Sequence, residues 1–179
     1  MADPSDLLID RTLVLLRHAK AVPPESRPDL PDFDRPLADR GRADAAAAGR
    51  YLVAQGIEAD LVLCSPSKRT RETWKYVAEA GVTAKDVWYD KRVYNADSES
   101  ILDVIHEAPA EARTVVVVGH GPGIPWLADE LALDGTSPER VELTQKYPTT
   151  GLAVLHLTCH WADLSANDAD LVSFVVPRA

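Results

Sequence analysis

The sequence lacks a disulfide framework, because it contains only two cysteines, Cys64 and Cys159. Small secreted domains held by disulfides carry more, so that class of protein is excluded. No apolar run approaches the roughly 20 residues that cross a bilayer. The first residues lack the basic and apolar regions of a signal peptide. Together these absences favour a cytoplasmic protein.

The chain also lacks an excess of positive charge: 19 Lys and Arg stand against 28 Asp and Glu, a net charge of −9. A general nucleic-acid or anionic-membrane binder needs a broad basic face, so neither partner is expected, although a local basic pocket is compatible with an acidic whole. No linker rich in Gly, Ser or Pro divides the sequence. The 179 residues, 46% of them hydrophobic, are therefore expected to form a single domain over residues 1–179.

Apolar runs alternate with helical patterns along the chain. The predicted strands are residues 12–16, 60–64, 87–89, 114–118, 152–157 and 171–176. The predicted helices are residues 39–55, 67–80, 98–108 and 124–133. This alternation predicts an α/β fold with a mostly parallel central sheet and helices on both faces. Residues 21–36 contain five prolines and are predicted to form a long, functional loop.

Charged and imidazole side chains follow three of these predicted strands. Arg17 and His18 end the first, Arg69 comes shortly after the second, and His120 follows the run of valines. Open α/β sheets bind ligands at the carboxyl ends of their strands. Arginine suits phosphate because its planar guanidinium donates two hydrogen bonds and stays charged. One arginine alone would indicate a surface salt bridge, but two at matching strand ends predict a phosphate site.

His18 is the candidate nucleophile. Its imidazole must be unprotonated to attack phosphorus, and neighbouring arginines disfavour the imidazolium form. The alternative is a structural histidine at a strand end. His120, flanked by Gly119 and Gly121, is expected to hydrogen-bond the phosphoryl group. A dinucleotide loop of the form G-x-G-x-x-G is disfavoured, because its last position is Ile124 and it follows a late strand.

Several motifs resemble those of one known family. Residues 16–20, Leu-Arg-His-Ala-Lys, resemble the signature of the histidine phosphatase superfamily, also called the phosphoglycerate mutase-like superfamily. Residues 65–73 resemble its second motif and Gly119-His120 its third. Residues 34–37, Asp-Arg-Pro-Leu, followed by Arg40-Gly41, resemble the SixA branch, the phosphohistidine phosphatases. The resemblance extends from about residue 12 to residue 157.

The resemblance implies a three-layer αβα sandwich of the phosphoglycerate mutase type. It implies that His18 becomes phosphorylated during turnover. It further implies a phosphoryl-binding set of side chains, with Arg35 assisting: Arg17, Arg35, Arg69 and His120.

Two positions depart from the family pattern. Ala19 stands where glycine is usual, and Asn95 falls where many relatives have a glutamate that acts as general acid. An amide cannot donate a proton as a carboxylic acid does. Asp97 or Glu99 could donate instead, although carboxylates at such positions more often cap a helix. Because a phosphoramidate bond to imidazole is labile, the missing acid favours phosphohistidine over sugar or glycerate phosphates as substrate.

The sequence therefore predicts a metal-independent and cofactor-independent phosphatase acting on a phosphoprotein or a small phosphorylated substrate, with phosphohistidine favoured. The alternatives are a small-molecule phosphomonoesterase or mutase of the same superfamily and a non-catalytic phosphate-binding module. A metal site at His156, Cys159 and His160 is disfavoured, because no fourth ligand lies near in sequence. The sequence gives no oligomeric state.

Overall fold

The computed structural model describes residues 9–179, so the prediction about a signal peptide lies outside the described residues. A sheet of six strands forms the centre of the fold. The strands are β1 (Arg11–Arg17), β2 (Ala59–Cys64), β3 (Ala84–Tyr89), β4 (Thr114–Gly119), β5 (Leu152–Leu157) and β6 (Asp170–Val175). Their order across the sheet is β3-β2-β4-β1-β5-β6. The first four in this order run parallel, β5 runs antiparallel to β1, and β6 runs antiparallel to β5, which confirms the mostly parallel sheet.

Helices cover both faces of this sheet. They are α1 (Asp39–Ala54), α2 (Lys68–Glu79), α3 (Ser98–His106), α4 (Gly123–Leu131) and α5 (Pro138–Gln145). The first four confirm the predicted helices, but α5 was not predicted. Its apolar pattern is weak, because Leu143 is its one buried residue. The hydroxyl of Ser137 accepts from the backbone N–H of Arg140 and caps the start of this helix.

Alternating side chains of the strands form a separate core on each side of the sheet. Leu13 and Leu15 of β1 belong to the core that packs on α3 and α4, and Val14 and Leu16 to the core that packs on α1 and α2. This division confirms the three-layer αβα arrangement. Trp126 on α4 packs only in part, since 53% of it is exposed.

The register of the parallel strands decides where the site lies. Arg17 pairs with Gly119 across β1 and β4, and Cys64 pairs with Val118 across β2 and β4. The three strands therefore end at the same edge. The residues that follow them, His18, Ser65 and His120, leave the sheet side by side. Cys64 is buried, and burial raises the pKa of its thiol to about 12.

The predicted loop over residues 21–36 starts and ends close to β1. Ala21 and Leu37 form an antiparallel bridge, and the N–H of Ala38 donates to the carbonyl of Lys20 at 2.9 Å. Gly41, in the first turn of α1, lies directly against the Lys20 backbone, where a Cβ would overlap the carbonyl oxygen. The start of α1 thus packs on the segment that follows His18.

Gly41→Ala is expected to destabilise the protein by about 1–3 kcal/mol, because the added methyl group forces α1 away from the Lys20 backbone. Denaturant unfolding followed by circular dichroism measures the change. Gly135→Ala is the control, because the nearest atom to a Cβ there is the carbonyl oxygen of Leu133 at 4.0 Å. Equal stabilities of the two variants would contradict the close approach seen at Gly41.

Candidate active site

The backbone holds two histidines together at the carboxyl edge of the sheet. The N–H of His18 donates to the carbonyl of Gly119 at 2.9 Å, and the N–H of Ser65 donates to that of Val118 at 3.0 Å. The ring centroids of His18 and His120 are consequently 5.2 Å apart. The structure thus brings together the side chains that follow three separate strands, as the sequence predicts.

The His18 ring has one nitrogen engaged and the other available. Its Nδ1 lies 2.7 Å from the carbonyl oxygen of Ala19, which can only accept, so Nδ1 carries the proton and Nε2 keeps a lone pair. Burial, the largest cause, together with the charges of Arg69 and Arg17 lowers the pKa of His18 to about 3. The candidate nucleophile His18 is therefore neutral at physiological pH. The sequence analysis attributed this to the arginines, whereas burial is the larger cause.

His120 is 2% exposed, and both of its ring nitrogens have partners. Arg69 Nη2 donates to its Nδ1 at 3.2 Å, which leaves the proton on Nε2, where it is donated to Ser65 Oγ at 2.8 Å. Burial lowers the pKa of His120 to about 2, with further contributions from His18 and Arg69. The predicted hydrogen bond from His120 to a phosphoryl group would replace one of these two partners. The hydrogen bond between His120 and Ser65 was not predicted from the sequence.

Arg17 is the last residue of β1, and its side chain lies against the glycine-rich turn that follows β4. Its Nη1 donates to the carbonyl of Tyr147 at 2.8 Å. The guanidinium carbon would be 3.1 Å from a Cβ at Gly121, so the absence of a side chain there makes room for Arg17. Burial lowers the pKa of Arg17, and its buried Nε has no hydrogen-bond partner. No carboxylate neutralises this cation within residues 9–179.

An aspartate that the sequence analysis did not single out joins the other two arginines. Asp32 Oδ1 accepts from Arg35 Nε at 3.1 Å and from Arg35 Nη2 at 2.6 Å. Its Oδ2 accepts from Arg69 Nη2 at 3.0 Å and from the hydroxyl of Tyr94 at 2.7 Å. Burial alone would raise the pKa of Asp32, but the hydrogen bonds from Tyr94 and Arg35 and the charge of Arg69 lower it well below its usual range. The Asp32 carboxylate thus lies between Arg35 and Arg69, two arginines that are candidates for binding phosphate.

Helix α2 forms hydrogen bonds both to the segment that follows His18 and to the end of the loop that carries Asp32 and Arg35. The N–H of Ala19 donates to Thr73 Oγ1 at 3.0 Å, and the same hydroxyl donates to the carbonyl of Arg69 at 2.7 Å. Glu72 accepts from the N–H of Leu37 at 2.7 Å, which anchors the end of the loop. Thr73 and Glu72 lie within the second motif of the sequence, but the motif alone does not reveal these contacts.

The candidate proton donors lie at the start of α3. Asp97 accepts from the N–H of Ser100 at 2.8 Å and caps that helix, while Glu99 is exposed in its first turn. Asn95, at the position where the sequence resemblance suggests a general acid, is part of the site: its side-chain amide oxygen accepts from Arg69 Nη2 at 3.3 Å. An amide therefore occupies the position from which a carboxylic acid would act.

The region from residue 9 to residue 179 holds no group of three or more His, Cys, Asp or Glu side chains arranged to bind a metal ion. His156 Nε2 lies 3.2 Å from Asp10 Oδ1, whereas His160 Nδ1 lies 3.4 Å from Arg11 Nη2. The two histidines thus have separate partners. In the same region, none of the helices has the length and apolar character needed to cross a membrane.

Comparison with known proteins places the chain in a family. The sequence profile of the histidine phosphatase superfamily (branch 1) matches residues 13–97. A solved structure from Nakamurella multipartitia, described as a candidate phosphohistidine phosphatase SixA, is 36% identical, with 95% of this chain and 98% of that chain covered and a TM-score of 0.83. The chain belongs to the histidine phosphatase superfamily.

Two further relatives of this histidine phosphatase extend the comparison. An uncharacterized protein from Mycobacterium tuberculosis is 39% identical over 165 residues, which cover 91% of this chain and all of the relative. A structure from Agrobacterium tumefaciens, also described as a candidate SixA, is 32% identical with a TM-score of 0.75 and covers 93% of this chain and 99% of that one. The predicted SixA-type resemblance is confirmed.

The rings of His18 and His120 in this histidine phosphatase are expected to stay neutral from pH 8 down to about pH 4, as followed by ¹⁵N NMR of the imidazoles. Both pKa values lie below the ordinary value of about 6.5, so the unfolded chain binds protons that the folded chain excludes. Stability contributed by the neutral rings is therefore lost as the pH falls below about 6.5. His18→Gln should lose less stability than the wild type between pH 7 and pH 4.5 in urea unfolding. Titration of either site ring near pH 6.5 would contradict the burial seen here.

Asp32→Asn is expected to tighten the binding of inorganic phosphate by roughly tenfold, equivalent to about 1.4 kcal/mol, because the carboxylate no longer competes for Arg35 and Arg69. Isothermal titration calorimetry at neutral pH, where Asp32 is ionised, measures the change. Asp34→Asn is the matched control, since it removes an exposed carboxylate from the same loop. Weaker phosphate binding in Asp32→Asn, or an equal gain in the control, would show that Asp32 does not compete with the anion.

Proposed function

We propose that this histidine phosphatase hydrolyses phosphohistidine on a protein substrate, through a covalent phosphohistidine intermediate at His18. The observation that carries the proposal is the state of the His18 ring. Its Nδ1 proton is held by the Ala19 carbonyl, its Nε2 is unprotonated, and guanidinium groups lie beside it. A neutral imidazole next to concentrated positive charge is what attack on a phosphoryl anion requires.

The first step transfers the phosphoryl group to the enzyme. His18 Nε2 forms a bond to phosphorus as the bond from phosphorus to the substrate nitrogen breaks, and the released imidazole takes up a proton from solvent. Charge in such a transition state spreads over three phosphoryl oxygens, so catalysis consists mainly of positioning and electrostatic stabilisation. Arg17, Arg35 and Arg69 supply that stabilisation. His120 contacts the phosphoryl group in exchange for one of its present partners.

The second step regenerates the nucleophile. Water attacks the phosphorus of phospho-His18, the bond from phosphorus to Nε2 breaks, and inorganic phosphate leaves with the water oxygen. The guanidinium groups that bound the substrate phosphoryl group stabilise this transition state too, because the same oxygens carry the charge. In this scheme the arginines provide the positive charge, and neither a metal ion nor a cofactor takes part.

Two observations favour phosphohistidine over a phosphate ester. Asn95 provides an amide where a general acid would protonate an alkoxide leaving group, and imidazole depends less on such protonation. In addition, two solved relatives at 36% and 32% identity are described as candidate phosphohistidine phosphatases. Both observations support a phosphoprotein as the partner.

His18→Ala is expected to reduce hydrolysis of a phosphohistidine peptide by about 10³-fold or more, because no other group replaces the attacking nitrogen. The measurements are phosphate release and acid-quenched trapping of labelled enzyme with mass spectrometry of the phosphorylated site. His156→Ala, which changes a histidine beside Asp10, is the control for folding and should keep both signals.

The same assay separates the alternatives. Phosphoserine peptides and sugar phosphates are measured beside the phosphohistidine peptide. Clear preference for an ester would replace the proposal with a phosphomonoesterase or mutase. Absence of covalent label on the wild type would indicate a phosphate-binding module, and retained turnover in His18→Ala would overturn the mechanism.

A further inference from the structure

A basic surface groove opens beside the site. We call it the α2 groove; it is a cavity of about 470 Å³ whose walls include Phe33, Lys68, Arg71, Lys75 and Tyr89. Lys68 directly precedes Arg69, and Phe33 directly follows Asp32. The Phe33 ring contacts Tyr94 with centroids 5.1 Å apart, and Tyr94 in turn contacts His120 at 5.4 Å. One pair of aromatic rings therefore separates the groove from the candidate catalytic residues.

Three cations line one face of the helix that borders this groove. Lys68, Arg71 and Lys75 follow the i, i+3, i+7 spacing of a helix face and are exposed. Lys75 lies 3.8 Å from Glu79, but Lys68 and Arg71 form no ion pair in the described part of the chain. This local positive charge stands out against a net charge of −9. The positive potential of this surface favours the binding of an anionic ligand.

The groove wall also carries two carboxylates, Asp34 and Glu72, so its three cations leave a net positive charge of about one. Glu72 is engaged by the N–H of Leu37 at 2.7 Å, and Asp34 is the other carboxylate in the wall. An aromatic surface adds apolar contact, because Tyr89 is 52% exposed and the Arg71 guanidinium lies 5.5 Å from its ring centroid. The groove thus offers both cations and an aromatic platform, a combination suited to a peptide.

We propose that the α2 groove binds an acidic segment of the substrate protein next to its phosphohistidine. The inference rests on the proposed function and names the sequence context that the enzyme recognises. Lys75 lies seven positions after Lys68 on the helix, which corresponds to a rise of about 10 Å. An extended peptide covers that length with about three residues. One small phosphorylated molecule would engage a single point of this row, whereas a run of acidic residues engages all of it.

Nucleic acid fits the groove poorly. A polyanion extends well beyond 10 Å and would meet the negative charge that dominates the rest of this chain. A short acidic peptide places its charge on the basic row alone. Its binding is expected to weaken as salt is added, because exposed ion pairs are screened.

The test compares phosphohistidine peptides that differ only in three residues beside the phosphohistidine, either Glu or Lys, placed on the amino or the carboxyl side. We expect kcat/KM at low salt to be about tenfold higher for the better acidic peptide than for its lysine counterpart. Arg71→Gln/Lys75→Gln should reduce this preference about fivefold. Hydrolysis of phosphoimidazole, which has no flanking segment, should stay unchanged.

Arg42→Gln/Arg50→Gln is the matched control, since it removes the same charge from exposed positions on α1 and should keep the preference. No preference in the wild type, or equal losses in the two double variants, would overturn the assignment. If no phosphohistidine peptide is hydrolysed, the proposed function fails. The groove is then judged by NMR with the unphosphorylated acidic peptide: shifts at Lys68, Arg71 and Lys75 support the groove, and their absence refutes it.

Discussion

The site depends on holding three guanidinium groups, those of Arg17, Arg35 and Arg69, beside the neutral imidazole of His18. Like charges repel, so the fold must hold them without cancelling them. Main-chain carbonyls do this: Arg17 donates to Tyr147, Arg35 to Val22 and Arg69 to Asp32, at 2.7–2.8 Å. A carbonyl dipole orients a cation but leaves its formal charge in place. Burial and these charges together keep the ring of His18, the proposed nucleophile, neutral.

The side chain of Asp32 sets how much of that charge remains. Its single negative charge faces two of the three arginines, so about two positive charges are left, close to the −1.5 to −2 of a phosphoryl group at neutral pH. A site with all three cations uncompensated would also hold the product phosphate more tightly. The aspartate therefore suits a two-step hydrolysis, in which phosphate has to leave after every cycle. This balance depends on the loop between Ala21 and Leu37, which places Asp32 over the strand ends.

The sequence predicted the edge of the sheet and its charged residues because both depend on local patterns. Runs of Leu and Val end visibly, and the ends of parallel strands meet. Asp32 and Ser65 were not predicted as site residues, since their contacts depend on how a proline-rich loop and a buried turn pack in three dimensions. Helix α5 was missed for a different reason: it buries Leu143 alone, so its pattern carries little signal.

Asn95 and Asp32 together explain why the site suits a leaving group that needs little protonation. Both side chains accept from Arg69 Nη2, so a glutamate at position 95 would place a second carboxylate against a cation that Asp32 already faces. That second charge would reduce the remaining positive charge from about two to about one. The amide accepts the same hydrogen bond without adding charge. Asp32 itself cannot replace the missing acid, because its lowered pKa keeps it ionised. A site built in this way retains its affinity for phosphoryl groups and gives up the strong acid that an alkoxide would need, which matches the proposed cleavage of a bond to imidazole.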